Sequence, residues 1–257
     1  MRYFLEISYK GTSYCGWQVQ PNGLSIQAIV NQALSTILNE PIHCVGCGRT
    51  DAGVHASQFF LHFDADTPLP KLFDVRLNRF LTKDISVKRI IKNLPEKAHT
   101  RFDATYRAYD YYIHFHKNPF KNELSWYYNR LPLNFEAMRQ AADLLLQYED
   151  FVMFCKTGGS NKTTLCKIFK TELVVDEDGN GIRFHIAANR FLRGMVRRIV
   201  GMLIEVGREK VSLEIFKAVM DREAQFPFNP SAPPQGLYLS EVRYNYILST
   251  YPILNIE

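Results

Sequence analysis

Strand, loop, helix and strand succeed one another twice in this chain, at residues 2–64 and again at 107–175. A strand with one apolar face and a helix with one apolar stripe must each cover that surface with the other. Two such sets predict two α/β halves packed side by side, and a cleft between halves is a natural ligand site. Strands that return through short hairpins predict a mainly antiparallel sheet flanked by helices. The expected fold class is α+β, with an N-terminal half over 1–104 and a C-terminal half over 105–257. Sequence identity between the repeats is low, so the repetition is architectural.

The elements follow from periodicity and punctuation. MRYFLEISYKG alternates as a half-buried strand does. SIQAIVNQALSTILNEP has Ser25 as N-cap, Ile26, Ile29, Val30, Ala33, Leu34, Ile37 and Leu38 at helical spacing, and Pro41 as its stop. IHCVGCGR and SQFFLHFDAD read as strands on either side of a loop. VRLNRFLTKDISVKRIIKNLP reads as a short helix, a turn and a strand. YRAYDYYIHFHKN is a long strand broken by Pro119. NFEAMRQAADLLLQYED is a helix capped by Asn134, and KIFKTELVVDEDGNGIRFHIAANRF is a hairpin turning at DGNG. RGMVRRIVGMLIEVG and VSLEIFKAVMDRE are helices. A Pro-rich loop, NPSAPPQG, leads to a closing strand, LYLSEVRYN.

With 257 residues, 46% of them hydrophobic, the chain has the material for a globular core. It lacks a run of about eighteen apolar residues, so no membrane span is expected. Its first residues carry no apolar h-region and no small-residue cleavage site, so no secretory signal is expected either. Five cysteines, an odd number, point to reduced thiols and a cytoplasmic location. A net charge of +5 hints weakly at a polyanionic partner.

Four groups of residues bear on chemistry. In GRTDAGVHA, residues 48–56, two glycines allow a sharp turn and close approach of a ligand to Asp51. Asp51 reads either as a turn acid capping free amides or as a catalytic carboxylate, and His55 as structural. Cys44 and Cys47 make one CxxC. A structural zinc site needs four ligands, so buried thiols account for the pair better. In NRFLRGMVRRIVG, Arg190, Arg193 and Arg197 fall along one flank if the helix begins that early. Arg197, beside Val200, needs an anionic partner at the edge of the core, and Asp51 could be it. On YRAYDYY, Tyr109 and Tyr111 share a face, as sheet packing or as a platform for stacking bases.

These segments together resemble the tRNA pseudouridine synthase A family. The resemblance is carried by YKGTSYCGWQ, GRTDAGVHA, LN-x-x-L-x-x-DI-x-V (77–87), RF-x-A-T-x-R-x-Y-x-Y (101–111), FLRGMVRRIVG (191–201) and APPQGLYL (232–239). It covers essentially the whole chain, in order. It implies the pseudouridine synthase fold, with the active-site cleft between two halves. It implies conversion of uridine to pseudouridine at positions 38, 39 and 40 of the tRNA anticodon stem-loop, by a homodimer without cofactor or metal. Asp51 falls on the family's catalytic aspartate, and Tyr109 on the tyrosine that contacts the target base. Arg197 falls on the basic residue paired with the aspartate. Arg49 falls on an arginine that helps open the stem and hold the flipped nucleotide.

The chemistry suits these residue types. The reaction needs an ionised carboxylate, and a paired arginine helps a buried one keep its charge. Attack on the base, attack on the sugar and abstraction of a sugar proton are all open to it. Stacking on Tyr109 offsets part of the cost of extruding the base, and its phenol is a candidate to remove the C5 proton. Some positions depart from the family pattern. Cys47 replaces a usual alanine, Thr82 a usual proline, and Asp110 a frequent basic residue. The stretch 152–166 matches poorly, and Lys156, Lys162 and Lys167 are candidate RNA contacts or solvated charges. Two other readings are a metal-dependent hydrolase built on Asp51, His55 and the cysteine pair, and a non-catalytic tRNA-binding protein of the same fold.

Overall fold

The computed structural model describes residues 1–156, 163–228 and 230–247. The first half of the chain forms β1 (Arg2–Tyr9), α1 (Ile26–Leu38), β2 (Val45–Gly46), β3 (His55–Asp64), α2 (Phe73–Phe80) and β4 (Ile85–Ile91). The second forms β5 (Tyr106–His114), β6 (Trp126–Tyr127), α3 (Phe135–Leu144), β7 (Ile168–Val175), β8 (Gly181–Ala188), α4 (Met195–Gly207), α5 (Leu213–Met220) and β9 (Leu237–Arg243). Both expected caps form. Ser25 Oγ accepts from Ala28 N at 3.2 Å, and Asn134 Oδ1 from Ala137 N at 3.0 Å. Each satisfies an amide that the helix itself leaves unpaired.

Among the described residues nine strands make one sheet, ordered β4-β1-β3-β9-β5-β8-β7, with β2 beside β3 and β6 beside β5. Its pairs are antiparallel except β3 with β9 and β5 with β6. Directly paired residues point to one side. That side can be followed across the middle of the sheet, from Tyr9 to Ala56, Leu239, Tyr109 and Ile186. The helices lie on it. Phe73 of α2 packs on Phe63, while α3 and α4 cover Tyr111, Ile113 and Phe184. The opposite side carries a polar groove lined by Glu6, Gln58, Asp110, Arg183 and His185.

The repeated element order does not translate into repeated pairing. In the first half the strand after the helix, β3, pairs with β1. In the second half the corresponding strand, β7, lies at the sheet edge, and β5 sits between β8 and β9. The last strand serves both apolar clusters: Leu237 packs with the C-terminal one, Leu239 and Val242 with the N-terminal one. Val54, from the loop before β3, packs with the C-terminal cluster in return. Tyr109 touches both.

β1 departs from the expectation of a half-buried strand. It is buried on both faces, including Glu6, which is fully buried. Glu6 is compensated by Arg89 and by Gln58, whose Nε2 donates to it at 3.0 Å. A buried carboxylate requires such partners.

Candidate active site

The loop between β2 and β3 carries Arg49, Thr50 and Asp51, and its shape is imposed by the loop that follows β1. Trp17 N donates to the Thr50 carbonyl at 3.2 Å, and Gly53 N to the Tyr14 carbonyl at 3.2 Å. The buried Thr50 hydroxyl pairs with Tyr9 Oη at 2.9 Å. Gly16 has φ +84°, and a Cβ there would stand 2.3 Å from the Thr50 carbonyl oxygen. Gly53, at φ +77°, closes the turn after Asp51. Both positions fall in the left-handed region that glycine reaches without penalty.

His55, buried at the start of β3, is a strut. Gly11 N donates to its Nδ1 at 3.0 Å, so Nε2 carries the proton and donates to the Gln235 carbonyl at 3.1 Å. Burial pushes its pKa down, which keeps the ring neutral. The Cys44 and Cys47 thiols are buried as well, and burial pushes them up to about 12 and about 11. Buried thiols of this kind pack as small apolar side chains. Among the described residues no group of three His, Cys, Asp or Glu side chains could hold a metal ion.

Asp51 meets Arg197 across 146 positions of chain, with Arg197 Nη1 donating to Asp51 Oδ2 at 3.4 Å. Asp51 keeps a third of its side chain exposed, and Arg197 a fifth. The carboxylate is therefore open to a ligand while its partner is largely covered. Arg197 is aimed by backbone: its Nε donates to the Ala232 carbonyl at 2.7 Å, and Ala232 N returns a bond to the Arg197 carbonyl at 2.9 Å. Tyr111 Oη donates to the adjacent Pro233 carbonyl at 2.7 Å. The segment from Ala232 to Gln235 thus offers three carbonyls, to α4, β5 and β3.

Tyr109 lies one turn of the pleat from Tyr111, on the helix side, half-buried, with its ring edge-on to Phe191 at 5.1 Å. Burial pushes its phenol well above the ordinary value, and the nearby Cys47 thiol and Asp51 carboxylate push the same way. A phenol held protonated suits stacking and hydrogen-bond donation better than the removal of a proton. Arg49 is exposed, two residues before Asp51, and among the described residues it makes no hydrogen bond or ion pair with Asp51, Tyr109 or Arg197.

Some expectations are revised. α4 begins at Met195, after Gly194 at φ +70°, so Arg190 and Arg193 precede the helix and share no flank with Arg197. Arg198 instead donates to the Cys155 carbonyl. Asp110 is on the opposite side of the sheet, where it accepts from His185 Nδ1 at 2.9 Å and pairs with Arg183. Lys162 lies outside the described residues. Sequence reading missed the bracing of the Asp51 loop by Tyr9, Tyr14 and Trp17, for which only the glycines at 11 and 16 gave a signal. It also missed the carbonyls at 232–235, which have no side-chain signature.

Comparison with known proteins bears on this arrangement. A family profile described as tRNA pseudouridine synthase matches residues 141–245. Curated relatives named tRNA pseudouridine synthase A match at nearly full length. Those from Bacteroides fragilis and Azobacteroides pseudotrichonymphae are 44% and 41% identical, each covering 95% of this chain and 96% of the relative. One from Geobacter sulfurreducens is 41% identical over 93% of this chain and 98% of its own length. Identity at this level over nearly the whole of both chains means that the chain belongs to the tRNA pseudouridine synthase A family.

Proposed function

We propose that this protein isomerises uridine to pseudouridine in tRNA, at positions 38, 39 and 40 of the anticodon stem-loop, with Asp51 as catalytic nucleophile. The observation that carries the reading is the meeting of Asp51 and Arg197 at 3.4 Å beside the half-buried ring of Tyr109. In the reaction the N1–C1′ bond breaks, the uracil turns and C5 joins C1′. C5 gives up a proton and N1 takes one up, so the net change is an isomerisation. Asp51 supplies the nucleophilic carboxylate. Arg197 balances its charge and fixes its direction. Tyr109 stacks on the extruded base, which offsets about 1–3 kcal/mol of the unstacking cost. Arg49 holds the flipped nucleotide from the loop. The enzyme works as a cytoplasmic homodimer, without cofactor or metal.

The test is tritium release from a tRNA transcript labelled at C5 of uridine, with and without EDTA, for the wild type and Asp51→Ala. Release by the wild type and none by the variant is the expected outcome. No release by a wild type that binds several tRNAs would leave a tRNA-binding protein without the reaction. Release that stops with EDTA would point to a metal-dependent chemistry.

A further inference from the structure

One guanidinium organises the Arg49 side of the site. Arg107, two residues before Tyr109 on β5, gives four hydrogen bonds to backbone carbonyls. Its Nη1 donates to Ala104 at 3.1 Å and Asn189 at 3.0 Å, and its Nη2 to Cys47 at 3.0 Å and Arg101 at 2.7 Å. Those carbonyls come from three stretches far apart in sequence, and each stretch carries an arginine at or beside the tied carbonyl. Arg49 is two residues past Cys47, Arg101 is itself tied, and Arg190 follows Asn189.

The three are drawn together without compensation. Among the described residues none of them lies within ion-pair distance of a carboxylate, whereas Arg2, Arg89, Arg183 and Arg243 each do. Arg101 registers the others: burial and then the charges of Arg49, Arg107 and Arg190 lower its pKa. Converging, unpaired cations attract an anion. Planar guanidinium forks match the oxygens of a phosphate in particular. Beside Arg101 the ring of Phe102 is 75% exposed, with the Arg101 guanidinium 5.9 Å from its centroid. An exposed ring next to a phosphate site suits a nucleic acid, which offers bases to stack as well as phosphates.

We propose that Arg49, Arg101 and Arg190 form a binding site for a backbone phosphate of the RNA substrate, on the Arg49 side of Asp51. This rests on the tRNA reading above and adds Arg101 and Arg190 to the residues that engage the RNA. Arg107 shapes the site through the backbone and does not itself face the ligand.

The experiment measures binding of an unmodified tRNA transcript over a series of salt concentrations, in an Asp51→Ala background that leaves the RNA unconverted. Arg101→Gln and Arg190→Gln are compared with the parent and with Lys217→Gln, a lysine on α5 already paired with Asp221. Each arginine substitution is expected to weaken binding about threefold to tenfold and to lower the slope of log K against log salt by about 0.7–0.9. Lys217→Gln is expected to leave both unchanged. The Arg101 and Arg190 side chains make no hydrogen bonds within the described protein, so thermal unfolding should not move. Unchanged affinity and slope in both arginine variants, with tritium release intact in the protein carrying Asp51, would overturn this inference and leave the enzymatic reading standing. A parent that binds no tRNA at any salt would overturn both.

Discussion

Asp51 rides on a loop, whereas Tyr109 and Arg197 ride on a strand and a helix. The two halves therefore hold their contributions by different means. β5 and α4 fix their side chains through regular hydrogen bonding and a dense apolar cluster that surrounds Tyr111 and Val200. The Asp51 loop has no ladder of its own and depends on neighbours: the Trp17 and Tyr14 backbone, the Tyr9 hydroxyl and the close approach of Gly16. A charged group on a loop can be presented to a bulky substrate, but its precision has to be imported from elsewhere.

Four changes probe that contrast. The largest effect is expected at Arg197→Lys, which keeps the charge but removes the Nε donor to Ala232 and the fork that reaches Asp51. The rate of tritium release should fall about 10²- to 10³-fold, as when an oriented donor is removed from a site. tRNA affinity and the melting temperature should hardly change, because α4 supports itself. A large fall in melting temperature would remove the distinction between the halves.

Next comes Gly16→Ala. A left-handed residue with a Cβ 2.3 Å from the Thr50 carbonyl should cost about 2–4 kcal/mol of stability. Activity should fall with it, since the displaced atom adjoins Asp51. Urea unfolding and tritium release on one preparation measure both, and unchanged activity would show that the loop keeps its shape without the brace.

The third change is pH. Burial, then the charges of Arg2 and His99, hold His62 in the N-terminal cluster down to about 4, against about 6.5 for a free histidine. Between those values the unfolded chain binds more protons than the folded one, so stability falls as pH drops from about 6.5 to 4 and levels off below. The two values correspond to a loss of about 3 kcal/mol, which solvent screening brings nearer to about 2. Urea unfolding at pH 7, 5.5 and 4.5 should show the slope in the wild type and a shallower one in His62→Gln. Parallel curves would sink the assignment.

The smallest effect is expected at Gly194→Ala, the counterpart of Gly16 on the other side of the site. Its φ of +70° is also left-handed, but the nearest atom to an added Cβ is 3.6 Å away. Only the backbone penalty of about 1 kcal/mol applies. Equal losses at Gly16 and Gly194 would mean that neither half is the more fragile.

What sequence could reveal follows the same division. The caps at Ser25 and Asn134, the stripe of α4 and the β7–β8 hairpin are local patterns and could be read directly. Arg197 could be singled out because its position beside Val200 demanded a partner. The start of α4 could not, because Gly194 ends the irregular segment with a backbone angle that no composition rule announces. The position of β9 between β3 and β5 was hidden too, since strand order is decided by which apolar faces meet across the sheet. Fully buried Glu6 looked like the polar side of a half-exposed strand, because its partners, Arg89 and Gln58, come from strands whose pairing with β1 the sequence does not announce. Asp51 was conspicuous only as part of a motif; its bracing loop was visible as glycines with no stated purpose.

The stretch Ala232 to Gln235 holds Arg197, Tyr111 and His55 through main-chain oxygens alone. Two of its residues, Pro233 and Pro234, have no amide hydrogen, so the ribbon offers acceptors and few competing donors. Every amino-acid exchange leaves such an oxygen in place, and Ala232 is already alanine. A survey of this protein by alanine scanning would record a silent linker there. Only a change to the chain itself, such as an ester in place of the amide whose carbonyl faces Arg197, would reveal that the linker aims the guanidinium.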